Sequence, residues 1–282
     1  MKKIIILSIT IACFSSTYGQ KTKVCCSKPI EGSLAMWVNK EGFSAAHLSP
    51  EPFDFKATTG EMIQFDTPDG KKGNAFAVKS GANNGKAIIM VHEWWGLNDY
   101  IKKEAETLAS ELGAVDVYAV DLYDGKVATN PDEAGKLMGG MDPARAATII
   151  KGILKYIGPK AQIGTIGWCM GGFWSFQTAL LGGKQIKACV MYYGFPETDK
   201  NKIKTLSSDV LYISAENDGF IKKENREQFY SDLKSLNKQI TVKKYEADHA
   251  FANPSNPKYS KDFADDAHKI VLDYLYKGLG LK

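Results

Sequence analysis

Ile163-Gly164-Thr165-Ile166-Gly167-Trp168-Cys169-Met170-Gly171-Gly172-Phe173 is the stretch on which the fold turns. A short apolar strand, Ile163 to Ile166, runs almost directly into a helix over Phe173 to Leu181. A turn that sharp lifts one residue above the sheet and strains its backbone. The residues two positions to either side must then be tiny, and Gly167 and Gly171 are. The lifted residue is Cys169, and a helix starting at Met170 turns its N-terminus, with free amide N–H groups, toward the sulfur. This is the pattern glycine-x-nucleophile-x-glycine, with cysteine where serine is usual. The bland alternative is a core cysteine beside a glycine-rich turn. Cys189 fits that alternative, since it sits in an apolar strand with no glycine elbow.

Outward from this point, strands and helices alternate. Met62–Phe65, Asn74–Lys79, Ala87–Val91, Val115–Leu122, Ile186–Tyr192, Val210–Ser214 and Ile240–Tyr245 read as strands. Ala87–Val91 is apolar throughout, as in a strand covered on both faces. In Asn74–Lys79 the alternation predicts Ala75 and Ala77 on the outer face and Phe76 and Val78 on the inner one. Ile101, Ala105, Leu108, Ala109 and Leu112 fall at helical spacing behind a cap at Asn98 or Asp99. Pro131–Met138 and Pro143–Ile157 are helices opened by proline. Lys222–Leu236 and Tyr259–Leu279 complete the set. The order specifies an α/β fold, a mostly parallel central sheet with helices on both faces, over residues 56–282.

A nucleophile on such a turn needs a base and a group that orients the base. Among four histidines, His249 lies in a loop just after the last strand. His92 ends a buried strand and reads as a satisfied core residue, His268 reads as a surface residue of the final helix, and His47 lies before the fold. The acid follows the preceding strand in Ser214-Ala215-Glu216-Asn217-Asp218-Gly219, where Asp218 is the first choice because a turn through Gly219 can aim it, and Glu216 the second. Asp248 reads as a turn residue. Cys169, Asp218 and His249 then stand in the order nucleophile, acid, base. The loop His92-Glu93-Trp94-Trp95-Gly96 supplies the other half of an oxyanion hole, the amide of Trp94 joining that of Met170. In this reading Glu93 faces the thiol, and the tryptophans help to wall a substrate pocket.

The chain has 282 residues with 36 basic and 32 acidic ones, for a net charge of +4. Arg145 and Arg226 are its arginines, and the lysines are scattered among the acids. That describes a solvated surface and argues against a nucleic-acid groove. Met1-Lys2-Lys3, the apolar run Ile4–Phe14 and small residues at Thr17 and Gly19 read as a secretory signal peptide over residues 1–19. The run falls short of the about 20 residues that span a bilayer. A lipidated Cys13 is the lesser alternative. Residues 20–55, with Pro29, Pro50 and Pro52, read as an irregular N-terminal extension. Cys25 and Cys26 there form a vicinal pair, bridged or reduced; with His47 they would make at most a partial metal set, so no metal and no cofactor is expected.

Taken together, the Glu93-Trp94-Trp95-Gly96 loop, Asp121-Leu122-Tyr123, the Gly167–Gly172 elbow, the Asp218 turn and His249-Ala250-Phe251 resemble the dienelactone hydrolase family of the α/β-hydrolase superfamily, over roughly residues 60–280. The resemblance implies hydrolysis of a small-molecule ester or lactone through an acyl-enzyme on Cys169, Asp218 and His249. It implies that Glu93 keeps the thiol neutral at rest, and a pocket that includes Trp95, Tyr123, Trp168 and Phe251. It also implies arginines that grip a substrate carboxylate, one shortly after the histidine; Asn253 stands there in this chain. The alternative is a non-hydrolytic thiol or binding protein on a retained hydrolase fold.

Overall fold

The apolar runs become strands of one sheet: β1 (Gly60–Asp66), β2 (Lys72–Val78), β3 (Lys86–Val91), β4 (Asp116–Asp121), β5 (Gln162–Trp168), β6 (Ile186–Tyr192), β7 (Asp209–Ala215) and β8 (Ile240–Tyr245), in the spatial order β1-β2-β4-β3-β5-β6-β7-β8. The computed structural model of the chain describes Phe43, His47 and residues 49–281, all within the unit Gly32–Lys282. β1 and β2 form an antiparallel hairpin, β2 is antiparallel to β4, and every later pairing is parallel. The signal peptide, Cys13, Cys25 and Cys26 lie outside the described residues.

Beyond their first one or two residues, β3, β5, β6 and β7 are buried without a break. A strand buried at successive residues has both faces covered, and helices do the covering. They are α1 (Asp99–Leu112), α2 (Pro131–Gly139), α3 (Pro143–Ile157), α4 (Met170–Gly182), α5 (Lys200–Lys204), α6 (Lys223–Ser235) and α7 (Lys261–Gly278). α1 buries the five residues whose spacing marked it, and its cap is Asn98, whose side chain accepts the amide of Ile101 at 3.2 Å. Asn130 and Asp142 cap the two proline-opened helices. α7 turns Ala267, Val271 and Leu275 inward at spacings of four. The short helix α5 carries no sequence periodicity and was not expected.

One face assignment is corrected. Ala75, Phe76, Ala77 and Val78 are all buried. β2 lies second from the sheet edge, and α1 and α3 both pack on it. Both faces are therefore covered, and the alternation of small and large side chains reflects available space, not solvent. Cys189 is a core residue as expected: its sulfur lies 3.7 Å from Ser175 Oγ, and burial pushes the thiol up to about 11.

The parallel pairings set β3, β5, β7 and β8 with their C-terminal ends on one edge of the sheet. Residues that follow those ends collect there, which is where open α/β sheets place their ligand crevice.

Candidate active site

The turn after β5 has the strain expected of it. Cys169 adopts φ 54° and ψ −118°, a conformation a non-glycine residue enters only when its surroundings force it. The force is close packing. A Cβ at Gly167 would stand 2.1 Å from the carbonyl oxygen of Gly171, and one at Gly171 2.2 Å from that of Val91. The Cys169 amide donates to the Tyr192 carbonyl at 3.0 Å, which ties the elbow to β6. The thiol is fully buried at the head of α4.

Asp218 sits three residues beyond β7. Its Oδ1 accepts the amides of Phe220 and Ile221 at 2.8 and 2.9 Å, and its Oδ2 accepts Nδ1–H of His249 at 2.7 Å. Those two amides aim the carboxylate; Gly219 has an ordinary negative φ and open space where a Cβ would go. Glu216 is taken up elsewhere, accepting Ser214 Oγ–H at 2.7 Å and facing Arg226 and Lys244. Asp248 pairs with Lys258 on the surface of its turn.

Burial pushes the Asp218 carboxyl up. The His249 ring and the amide donors overcome this and leave it below the usual carboxylate range. Burial pushes His249 down, but Asp218 and the nearby Cys169 thiol raise it well above an ordinary histidine. With Nδ1–H on the carboxylate, the other ring nitrogen, Nε2, is buried and has no hydrogen-bond partner. The Cys169 sulfur and a ring nitrogen of His249 lie within 4.8 Å. The structure thus brings together the three residues singled out from three separate strand ends.

Glu93 follows β3 and lies buried, its Oε2 accepting the side-chain amide of Asn253 at 2.9 Å. Burial pushes this carboxyl up to about 7, with the Asn253 hydrogen bond and the His249 charge opposing. His92 before it is a satisfied core residue. Its Nδ1–H donates to the Glu93 carbonyl at 2.6 Å and its Nε2 accepts the Leu122 amide at 3.1 Å. The Trp94 indole is fully buried against Trp95, and Met170 is buried as the first residue of α4.

A cleft opens beside these groups. Glu93, Trp95, Trp168, Tyr192 and Asn253 line it, with Tyr100, Glu104, Tyr259, Asp265 and His268 toward α1 and α7. Trp168, the residue before Cys169, is on its wall; Cys169 and His249 themselves are buried behind it. Two expected pocket residues are not on its wall. Tyr123 donates its hydroxyl to Met170 Sδ at 3.1 Å, packs on His92 and borders a separate cavity with Asp124 and Arg145. Phe251 is fully buried among Tyr193, Tyr245 and Phe263. His268 is a partly exposed residue of the final helix, as expected, and it also reaches across to Glu111 of α1 at 2.6 Å and borders the cleft. Neither arginine is there; Arg145 pairs with Asp69 and Asp124, and Arg226 is buried against Ile221 and Glu216.

The residue that sequence reasoning missed is His47. It lies buried against the Trp94 ring at 4.6 Å, Phe220 at 5.7 Å and His249 at 5.4 Å. Burial pushes its ring down to about 3, the His249 charge adds to this, and the Phe43 carbonyl and Asp218 oppose. Its one sequence signal was a spacing of four from Phe43, whose carbonyl accepts Nδ1–H at 2.7 Å.

A family model described as the dienelactone hydrolase family matches residues 74–279. "Protein usf" of Aquifex pyrophilus is 32% identical over 233 residues, covering 76% of this chain and 97% of that protein. The carboxymethylenebutenolidase of Pseudomonas sp. (strain P51) is 25% identical over 231 residues, covering 76% and 94%. Among solved structures, a dienelactone hydrolase-like promiscuous phosphotriesterase from metagenomic libraries superposes with a TM-score of 0.67 at 18% identity, covering 78% of this chain and 99% of that one.

Proposed function

The chain belongs to the dienelactone hydrolase family and is an ester or lactone hydrolase, and from that premise we propose that it works through Cys169, His249 and Asp218 by way of an acyl-enzyme. His249 Nε2 takes the proton from Cys169, and the sulfur attacks the substrate carbonyl carbon. The oxyanion is held by the amides of Trp94 and Met170. Collapse expels the alkoxide, which recovers the proton from His249 and leaves a thioester on Cys169. Water, deprotonated by His249, then attacks the thioester, and the carboxylic acid and free thiol are released. Asp218 holds the ring in the productive tautomer and balances its charge. Glu93, poised near neutral pH, governs the ionisation of the resting thiol.

The observation that carries the reading is the Asp218–His249 bond, which leaves an unpartnered Nε2 beside a cysteine on a strained elbow. The test is pre-steady-state hydrolysis of p-nitrophenyl acetate in a Cys189→Ser background. A burst of nitrophenol equal to the enzyme concentration, abolished by Cys169→Ala, is expected. A burst that survives Cys169→Ala would overturn the assignment.

We also propose that the chain is exported after cleavage behind Gly19. The basic start and apolar run of residues 1–14 support this. Sequencing the mature N-terminus checks it, and a mature protein beginning at Met1 would reject it.

A further inference from the structure

We propose that the chain holds a Zn2+ ion through Cys169 Sγ, His249 Nε2 and His47 Nε2, and that the bound ion silences hydrolysis. A sulfur and one ring nitrogen from each histidine all lie within 4.8 Å of one another. Three ligands in a tetrahedral zinc site stand about 3.3–3.6 Å apart, given bonds of about 2.0–2.3 Å. Closing the set therefore takes side-chain movement of about an ångström. Cysteine with two histidines is a donor set that zinc accepts, and it leaves a fourth position for water.

The second observation is the hydrogen bonding of the two rings. A histidine that binds metal through one nitrogen donates its other N–H to a carboxylate or a backbone carbonyl. Both do so here: His249 Nδ1–H to Asp218 Oδ2 and His47 Nδ1–H to the Phe43 carbonyl, each at 2.7 Å. In the neutral ring that a metal requires, each tautomer is thereby set, with the lone pair on Nε2. Both Nε2 atoms are buried without a hydrogen-bond partner. One such atom belongs to the hydrolytic arrangement proposed above. The second, on His47, has no part in it, and an orphaned buried acceptor is costly unless something occupies it.

There is also a way in. A small cavity, separate from the cleft, is bordered by both His47 and His249, with Asn217, Asp248 and Lys258 around it. Asp248 there is partly exposed and pairs with Lys258 at 3.2 Å. Binding replaces the S–H bond of Cys169 with an S–Zn bond and releases one proton to solvent; no electron is transferred. With its sulfur and Nε2 both bound to zinc, the enzyme has neither nucleophile nor base.

Binding of the ion rests on the Cys169–His249–His47 geometry alone, while the silencing rests on the hydrolytic reading above, so the primary readout is spectroscopic. The full chain with Cys25, Cys26 and Cys189 replaced by serine is stripped of metal and titrated with Co2+. We expect one equivalent to bind with a thiolate-to-cobalt charge-transfer band and the intense visible bands of tetrahedral cobalt, both displaced by Zn2+. Cys169→Ser should abolish the charge-transfer band. His47→Ala and the bulkier His47→Gln should each weaken Zn2+ by at least about 10-fold in chelator competition, and p-nitrophenyl acetate turnover of either metal-free variant should stay within about twofold. Stoichiometric Zn2+ should stop turnover in the chain with His47 intact. No thiolate band, a band that persists in Cys169→Ser, or unchanged affinity in whichever His47 variant folds would each overturn the proposal. Ester hydrolysis absent throughout, with the bands present, would instead count against the hydrolytic reading alone.

Discussion

Asn253 donates its side-chain amide to Glu93 Oε2 at 2.9 Å, joining two residues 160 positions apart on the wall of one cleft. Family resemblance puts an arginine at about this position. An amide offers a hydrogen bond but no charge, so it only partly offsets the burial that pushes Glu93 up to about 7. A guanidinium would hold the same carboxyl low. Asparagine at this position, where the resemblance implies arginine, thus bears on both what the cleft can bind and when Glu93 ionises.

The first prediction concerns stability against pH. Glu93 has a folded value near 7 against 4.5 when unfolded, so the native state binds the extra proton between those values. Stability contributed by the neutral carboxyl is full below about pH 4.5, is lost as pH rises toward 7, and stays lost above. Glu93→Gln removes this loss. Denaturant unfolding at pH 5 and pH 8 should show the variant gaining about 2–3 kcal/mol relative to wild type between the two conditions. Parallel pH profiles for the two proteins would show that Glu93 does not titrate in this range.

The second concerns substrate charge. The cleft presents Glu93, Glu104 and Asp265 and neither arginine. Neutral aryl or alkyl esters should show kcat/KM at least equal to that of carboxylated lactones. Asn253→Arg should shift the ratio toward the carboxylated lactone by about 10-fold, the size of one charge-assisted hydrogen bond. A wild-type preference for the anionic substrate would refute the charge argument.

The third separates base from orienter. His249→Ala should lower kcat by about 10³-fold or more with little change in far-ultraviolet circular dichroism. Asp218→Ala should cost activity too, and should cost more stability than His249→Ala. It leaves the Phe220 and Ile221 amides as well as the His249 ring without an acceptor. A penalty of about 3 kcal/mol is expected from guanidinium unfolding curves. Equal stabilities for the two variants would mean that the amide bonds contribute nothing.

The fourth concerns the glycines around the site. Gly171→Ala drives a methyl to 2.2 Å from the Val91 carbonyl oxygen, in backbone that cannot yield without breaking the elbow. It should cost at least about 3 kcal/mol or prevent soluble expression. Gly219→Ala, beside Asp218 but with nothing within 4 Å, should stay within about 0.5 kcal/mol of wild type. A tolerant Gly171→Ala would mean the elbow is looser than its contacts imply.

By itself the sequence determined the order and type of nearly every strand and helix and the elbow at Cys169, and placed His249 and two candidate carboxylates, Asp218 ahead of Glu216, just past neighbouring strands. Each of these is written within a few residues. Period two or 3.6 marks a strand or helix, glycines two positions from a cysteine mark a close approach, and a polar residue just past a buried strand marks the active edge of a parallel sheet. Only the tertiary structure decided which of two nearby carboxylates faces His249, because Glu216 is claimed by Arg226 and Lys244, residues in other elements. It also decided that Tyr123 and Phe251 stand off the wall of the cleft beside Glu93, that His268 borders that cleft, and that both faces of β2 are covered. His47 is the clearest case. Nothing near it in the chain marks it as a site residue, and its partners Trp94, Phe220 and His249 come from three separate loops. A local pattern reports a residue's own backbone and burial, but which distant groups share its pocket depends on how whole elements pack.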